Sequence, residues 1–157
     1  MIRRIETGGI RNEKPLSDEQ IQAAKAFAVS LGMPAENIAY SENGYWTGYN
    51  ADFDLLLLGT DLYPATAPVA KGQVWNSRVS WKGTIGHELI GHREAALKGW
   101  TQSDDALEEA QASIRAARFT PDLTYVERII LLRDAISRLP KGVKIQDVKA
   151  KLHIIER

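Results

Sequence analysis

Residues 83–98 read GTIGHELIGHREAALK, and both the fold and the candidate site depend on how this stretch is built. Its apolar residues recur at helical spacing, and two of the three histidines of the chain, His87 and His92, stand five positions apart in it. In a regular α-helix, at about 100° per residue, side chains five positions apart point about 140° away from each other. A π-turn absorbs one extra residue, and Gly91 stands where such a widening is tolerated. The stretch therefore predicts a helix, with a widened turn if both histidines bind one ion.

The chain before this helix predicts one helix and a small sheet. Ser17 and Gln20 fit a capping box, and the apolar residues after them predict a helix over about 18–31. Short β-rich pieces broken by Asn, Gly and Pro fill residues 38–81 and predict a small, mostly antiparallel sheet. Its last piece, GQVWNSRVSW at 72–81, is expected to be a strand that could pair with an extended peptide if it lies at an edge.

A cluster of helices is expected after the sheet. Besides the helix at about 83–98, the spacing predicts helices at about 104–118 and 121–138, and the last residues form a short helix or a closing strand. The predicted class is α+β: an N-terminal helix, a small sheet, then three or more helices that carry the two histidines.

Composition indicates one ordinary globular domain, because 157 residues with 44% hydrophobic and 25% charged residues can bury a core. We predict a linker-like segment over 1–16 and a single catalytic domain over 17–157. The longest apolar run, Leu55–Leu58, is too short to span a bilayer, so a soluble chain without membrane contact is expected.

Charge and cysteine content narrow the chemistry. The formal net charge is zero, so bulk electrostatics does not favour a nucleic acid as partner. The chain has no cysteine, which excludes disulfides, thiolate nucleophiles and every zinc site that uses cysteine. Any metal must be bound by histidine and carboxylate side chains.

Two histidines do not complete a catalytic zinc site, which uses three protein ligands and one open position. The next predicted helix offers two adjacent carboxylates, Glu108 and Glu109. On a helical wheel Glu109 shares its face with small residues that would let this helix approach the first one closely. We therefore predict Glu109 as the third ligand beside His87 and His92. Glu108 is expected to support the ligands or to face solvent, and the reverse assignment stays open.

The pair of stretches HELIGH and EEAQAS resembles the paired motifs of the dipeptidyl-peptidase III family, H-E-x-x-G-H and E-E-x-R-A-E. The resemblance covers about residues 87–113. The zinc ligands that it implies are His87, His92 and Glu109. It also implies Glu88 as the general base that takes a proton from the attacking water. The second motif departs from the family at Gln111 and Ser113, which leaves substrate contacts and support of the ligands open.

The predicted function is a zinc-dependent metallopeptidase, with Zn²⁺ as cofactor and a peptide or protein as substrate. Such a mechanism usually includes an electrophilic partner for the substrate carbonyl. Tyr125 is the candidate carried forward, and Tyr49 and His153 are further candidates, although no spacing selects any of them.

Three helical stretches within about residues 86–142, GHREAALKG, LEEAQASIRAARF and ERIILLRDAISRLPKG, also resemble C-terminal toxin segments of bacterial polymorphic toxins of the Rhs and contact-dependent-inhibition kind. This resemblance implies an effector that is delivered into a target cell as part of a larger protein, and a cognate immunity protein as partner. Without it, a cytoplasmic enzyme is expected.

Two alternatives remain. A metal-dependent nuclease, or another toxin domain without peptidase activity, could use the cluster formed by His87, Glu88 and His92. The same residues could also be an ordinary polar helix face in a binding domain that holds no metal. The identity of the metal and of the substrate separates these functions.

Overall fold

Helix α1 spans Asp18–Ser30 in the computed structural model, which describes residues 11–64 and 75–157. The predicted capping box is present, because the Ser17 side chain accepts from the Gln20 backbone and the Gln20 side chain accepts from the Ser17 backbone. The buried face of α1, including Phe27, packs against the sheet and the helix that carries the histidines.

The sheet has three short strands, β1 Ile38–Tyr40, β2 Gly48–Asn50 and β3 Leu55–Leu58, in the order β1-β3-β2. Strand β1 pairs with β3 in parallel, and β2 pairs with β3 in antiparallel orientation. The α+β class is confirmed, whereas the sheet is mixed rather than mostly antiparallel. Strand β2 is left at one edge.

The predicted strand at 72–81 is wrong where the structure describes it. Residues 72–74 lie outside the described residues, Trp75–Arg78 form a 3₁₀-helix, and Trp81 already begins the next helix. In a 3₁₀-turn, residues three apart eclipse each other, and the Arg78 guanidinium lies 4.5 Å from the Trp75 ring centroid. This stacking and the capping role of Ser80 favour a helical turn over a strand.

Helix α2 is continuous over residues 81–97 and begins at the cap Ser80, whose hydroxyl accepts from the Gly83 backbone. It has three parts: α-helical Trp81–Gly86, π-helical His87–Arg93 and α-helical Glu94–Leu97. We call His87–Arg93 the π-turn. The predicted widening is confirmed, and it coincides with the two histidines.

Helix α3, Asp105–Phe119, packs against the π-turn, and helix α4, Tyr125–Arg138, packs against α3. Helix α4 begins four residues later than predicted, because Asp122 has a left-handed φ of 61° and Thr124 provides the cap. The chain then forms the short helix α5 Ile145–Val148 and a 3₁₀-turn at Lys149–Lys151. No helix in the described ranges is both long and apolar enough to cross a membrane.

The end of the predicted linker is packed into the fold. Leu16 belongs to the core, and the buried Arg11 guanidinium donates to the carbonyls of Asp61, Leu62 and Val79. Residues 1–10 of the predicted linker lie outside the described residues. The packed structure thus reaches back at least to Arg11.

Helices α2 and α3 approach each other at Gly91. A Cβ atom built on Gly91 would lie 2.5 Å from the Ala112 carbonyl oxygen and 2.8 Å from the Ala112 Cα and Cβ atoms. No side chain fits there, since the obstacle is largely backbone. Gly91 thus serves the contact between the helices, in addition to the widening that the sequence predicted.

Gly91→Ala is therefore expected to lower the free energy of unfolding by about 1–3 kcal/mol, a typical cost of overpacking. At an unhindered helix position, Gly→Ala would instead stabilise the protein by about 1 kcal/mol. The sign of the change in unfolding free energy therefore shows whether the helices are as close as the structure has them. Chemical denaturation is the measurement. Gly48→Ala, where a new Cβ meets nothing within 4 Å, is the control and should change little. A stabilised Gly91→Ala would contradict the close packing.

Candidate metal centre

The π-turn brings the two histidines to one side of α2. The Glu94 N–H bonds to the Leu89 carbonyl, a bond between residues five apart, so residues at this spacing lie above one another. The ring centroids of His87 and His92 are 4.7 Å apart, with the planes at 80°. A regular helix would separate these rings.

Helix α3 adds a carboxylate to the pair. Glu109 Oε2 lies 2.9 Å from His87 Nε2 and 3.5 Å from His92 Nε2, and the two Nε2 atoms are 3.1 Å apart. The group His87, His92 and Glu109 could hold a metal ion. Its three potential ligand atoms converge on one point at the contact between α2 and α3.

The spacing of these atoms fits a tetrahedral ion. Ligands about 2.0–2.1 Å from zinc lie about 3.3 Å from each other in that geometry. The three observed distances, 2.9, 3.1 and 3.5 Å, scatter around this value. Two imidazoles and one carboxylate are also a ligand set that zinc uses in catalytic sites.

A buried chain of hydrogen bonds orients His87. Asp134 on α4 accepts from the Ser113 hydroxyl at 2.7 Å, and the Ser113 oxygen lies 2.9 Å from His87 Nδ1. Because the hydroxyl proton points to Asp134, the Ser113 oxygen can accept from Nδ1–H. In that tautomer the lone pair of His87 Nε2 is available to a metal ion, whereas without an ion a proton on Nε2 can be donated to Glu109. A carboxylate placed in this way holds a metal-binding imidazole in one tautomer.

Glu108 orients the imidazole of His92 through Nδ1, the ring nitrogen that faces away from the cluster. Its Oε2 lies 2.7 Å from His92 Nδ1, and its Oε1 accepts from the Gln102 backbone N–H at 2.8 Å. Adjacent carboxylates on α3 therefore meet different atoms: Glu109 meets the two Nε2 atoms, and Glu108 holds His92 from behind. This arrangement supports Glu109 over Glu108 as the ligand.

Glu88 is buried beside the cluster without belonging to the three-residue group. Its Oε2 accepts from the backbone N–H of Tyr49 on β2 at 3.1 Å. The Tyr49 hydroxyl donates to Asp54 at 2.7 Å. The Arg93 guanidinium donates to both carboxylate oxygens of Asp54, at 2.7 and 3.2 Å. Burial and the Asp54 carboxylate raise the pKa of Tyr49 to about 12, so it stays a phenol.

The carboxylates make the cluster favour positive charge. Burial alone lowers the pKa of His92, but hydrogen bonds to Glu108 and Glu109 and the charge of Glu88 outweigh burial and raise it to about 10. Burial raises the pKa of Glu109, but hydrogen bonds from His87 and His92 outweigh burial and hold it well below its usual range. A proton and a metal ion therefore compete for the same position.

The predicted electrophiles lie elsewhere. Tyr125 begins α4 with 78% of its surface exposed, and His153 stacks on Trp100 with ring centroids 5.2 Å apart. Among the described residues, no hydrogen bond or ring contact joins either side chain to the candidate ligands. Tyr49 is close, but through its backbone, since its hydroxyl is held by Asp54.

Of the residues that support the ligands, the sequence indicated Glu108 but not Ser113, Asp134 or Gln102. Ser113 could have been found, because it lies one turn after Glu109 and so on the same helix face. Asp134 and Gln102 could not, because they stand at no characteristic spacing and reach the site through tertiary packing alone. Gln111 is buried and binds the Trp100 carbonyl, so it supports the loop between α2 and α3.

Comparison with models of protein families, with characterised proteins and with solved structures finds no match for this chain. The resemblances to the dipeptidyl-peptidase III family and to polymorphic toxin segments therefore rest on the quoted motifs and stay predictions. The site must be interpreted from its own geometry.

Zinc binding is expected to release about one proton at pH 7, because His92, with a pKa of about 10, must lose a proton before Nε2 can bind a metal. Zinc affinity should then rise about tenfold per pH unit between about pH 6 and pH 8. Titration calorimetry in buffers of different ionisation enthalpy measures the proton release directly. Binding without proton release would show that His92 is neutral or is not a ligand.

Glu109→Ala should weaken zinc binding more than Glu108→Ala does. The first change removes a potential ligand, whereas the second removes the support of His92, for which a loss of about 10- to 100-fold is typical. Competition with a chromophoric chelator gives both affinities. The opposite order would reverse the assignment of the two carboxylates.

Proposed function

We propose that this protein is a zinc-dependent metallohydrolase and that its substrate is a peptide bond. The observation that carries the proposal is the convergence of His87 Nε2, His92 Nε2 and Glu109 Oε2 next to the buried carboxylate of Glu88. Three protein ligands leave the fourth position of a tetrahedral ion for water, which is the arrangement of catalytic rather than structural zinc.

Glu88 is suited to act as the general base. It follows the potential ligand His87 directly in the chain, yet it lies outside the group of three that could hold the ion. The Tyr49 N–H occupies only its Oε2, which fixes the carboxylate and leaves Oε1 for water. A base held in this way needs no reorganisation when it accepts a proton.

In this proposal the metal and the protein side chains supply different parts of the hydrolysis. Zinc, when bound, supplies a Lewis acid that polarises the substrate carbonyl and makes water acidic enough to attack near neutral pH. Glu88 removes a proton from the attacking water and can return it to the leaving amine. Glu109, His87 and His92 hold the ion, and the carboxylates of Glu108 and Asp134 hold the two imidazoles in place.

Strand β2 supports a peptide as the substrate. Alternate residues of an antiparallel strand turn their backbone groups toward the partner strand, and the Tyr49 N–H instead meets Glu88. Tyr49 therefore turns its backbone groups away from β3, toward the outer side of β2, where the candidate base binds its N–H. An extended peptide that approached this side of β2 would bring its backbone next to Glu88. The predicted substrate edge thus shifts from residues 72–81 to β2.

Glu88→Gln should retain zinc and thermal stability but lose hydrolysis by about 10²- to 10⁴-fold, because glutamine keeps the shape and cannot take the proton. The assay is release of new amino groups from a broad peptide mixture by the zinc-loaded protein, with zinc content measured alongside. Glu36→Gln, the same change at an exposed position, is the matched control and should behave as wild type.

Two results would overturn the proposal. One is a Glu88→Gln variant that cleaves peptides as fast as wild type does. The other is a zinc-loaded wild type that leaves the peptide mixture intact while it nicks RNA or DNA in a parallel assay, which would favour the nuclease alternative.

A further inference from the structure

Arg115 on α3 is fully buried and carries four hydrogen bonds that connect three parts of the chain. It donates to the carbonyl of Ile90 at 3.1 Å, to the carbonyls of His153 and Glu156 at 2.9 and 2.7 Å, and to the Glu94 carboxylate at 3.1 Å. A buried guanidinium is tolerated only where such partners surround it. Every partner therefore helps to determine where Arg115 lies.

The Ile90 carbonyl belongs to the π-turn, between the two candidate ligands of α2. A widened turn interrupts the regular i→i+4 pattern of backbone bonds, and such a distortion needs stabilisation from outside the helix. Arg115 supplies a charged donor at this point. It thereby helps to hold the turn that brings His87 and His92 together.

Two further acceptors of Arg115, the carbonyls of His153 and Glu156, lie in residues 151–157, which we call the C-terminal segment. Arg118 donates to the Ile154 carbonyl, and Lys98 donates to the Arg157 carbonyl. Ile154 itself is 6% exposed and packs among apolar residues of α3, α4 and the segment. The segment is thus held against α2 and α3 mainly through its backbone carbonyls.

A second path joins the same segment to His92. Gln111 accepts from the His153 N–H at 3.0 Å and from the Gln102 side chain at 2.8 Å, and the Gln102 side chain also donates to the Lys151 carbonyl. The Gln102 backbone N–H donates to Glu108, which holds His92. The segment is therefore connected to the surroundings of the site by two paths, one through Arg115 to Ile90 and one through Gln102 and Glu108 to His92.

We infer that Arg115 is a positioning residue for the metal centre, and that seating of the C-terminal segment on Arg115 sets the affinity for the metal. When the segment is seated, its carbonyls hold the guanidinium where it can bind the Ile90 carbonyl. When it is not seated, Arg115 loses two acceptors and turns toward water, and the π-turn loses its external donor. The inference rests on the metal-binding part of the proposed function.

Arg115→Met, compared with Arg128→Met, tests the connection to the π-turn. Both changes remove a guanidinium that donates to a backbone carbonyl, but Arg128 binds Ala117, whereas Arg115 binds the π-turn and the C-terminal segment. Zinc affinity should fall about 10- to 100-fold in Arg115→Met, as for loss of a residue that orients ligands, and change less than about threefold in Arg128→Met. The absorption bands of the cobalt-substituted protein should shift in Arg115→Met alone, because they report ligand geometry.

Ile154→Asp, compared with Ile155→Asp, tests whether seating of the C-terminal segment sets the metal affinity, and it leaves Arg115 unchanged. This pair of variants still tests the inference if Arg115→Met does not fold. The two variants carry the same new charge one residue apart, at positions that are 6% and 83% exposed. Ile154→Asp should unseat the segment, seen as faster hydrogen exchange at the His153 amide, and weaken zinc binding at least tenfold. Ile155→Asp should retain wild-type values.

Zinc affinities in Arg115→Met and Ile154→Asp within about twofold of their controls would overturn this inference while leaving the proposed function intact. A wild type that binds no zinc would overturn both. Because the readouts are metal affinity and cobalt spectra, they do not depend on finding the substrate.

Discussion

The structure depends on one contact, the approach of the π-turn of α2 to α3 at Gly91 and Ala112. The approach is close enough that no Cβ fits between the helices, and it places the carboxylates of α3 against the imidazoles of α2. The candidate site needs both the widened turn and the close approach of the two helices. Without the widened turn the two histidines diverge, and without the close approach Glu109 falls short of both of them.

The surrounding fold serves this contact from three directions. Helix α4 supplies Asp134, which fixes the proton of His87 through Ser113. The sheet supplies the Tyr49 N–H to Glu88 from its edge strand β2. The C-terminal segment secures Arg115, whose guanidinium holds the carbonyl of Ile90. A negative cluster of this kind is costly to bury unless a cation is present. The raised pKa of His92 shows that the neighbouring carboxylates favour a positive charge at this position.

Local signals carried most of the prediction of the fold, and tertiary contacts account for its failures. The capping box of α1, the spacing of His87 and His92 and the small-residue face of α3 are local patterns, and they predicted the helices and the π-turn. The strand predicted at 72–81 failed because the alternation of a few residues cannot compete with the stacking of Arg78 on Trp75. The mixed pairing of the sheet depends on contacts between distant residues, which alternation does not specify.

The residues of the candidate site also differ in whether a local sequence pattern or a tertiary contact identifies them. The residues proposed to bind the metal stand at spacings that helix geometry makes meaningful, so they could be named from the sequence. Glu108, which supports His92, was also named from its place beside Glu109. The other supporting residues, Ser113, Asp134 and Gln102, act through tertiary contacts, and of these only Ser113 had a local signal. Arg115 and its partners in the C-terminal segment had no sequence signal, because a buried arginine on an amphipathic helix looks like a solvated one until the packing is known.

X-ray absorption at the zinc edge of the metal-loaded protein reports the ligands without reference to any substrate, and so it tests whether the π-turn brings His87 and His92 to one ion. Four nitrogen and oxygen ligands are expected at about 2.0–2.1 Å, with the outer-shell scattering of two imidazole rings. Outer-shell scattering from no imidazole, or from a single one, would contradict binding of one ion by both histidines.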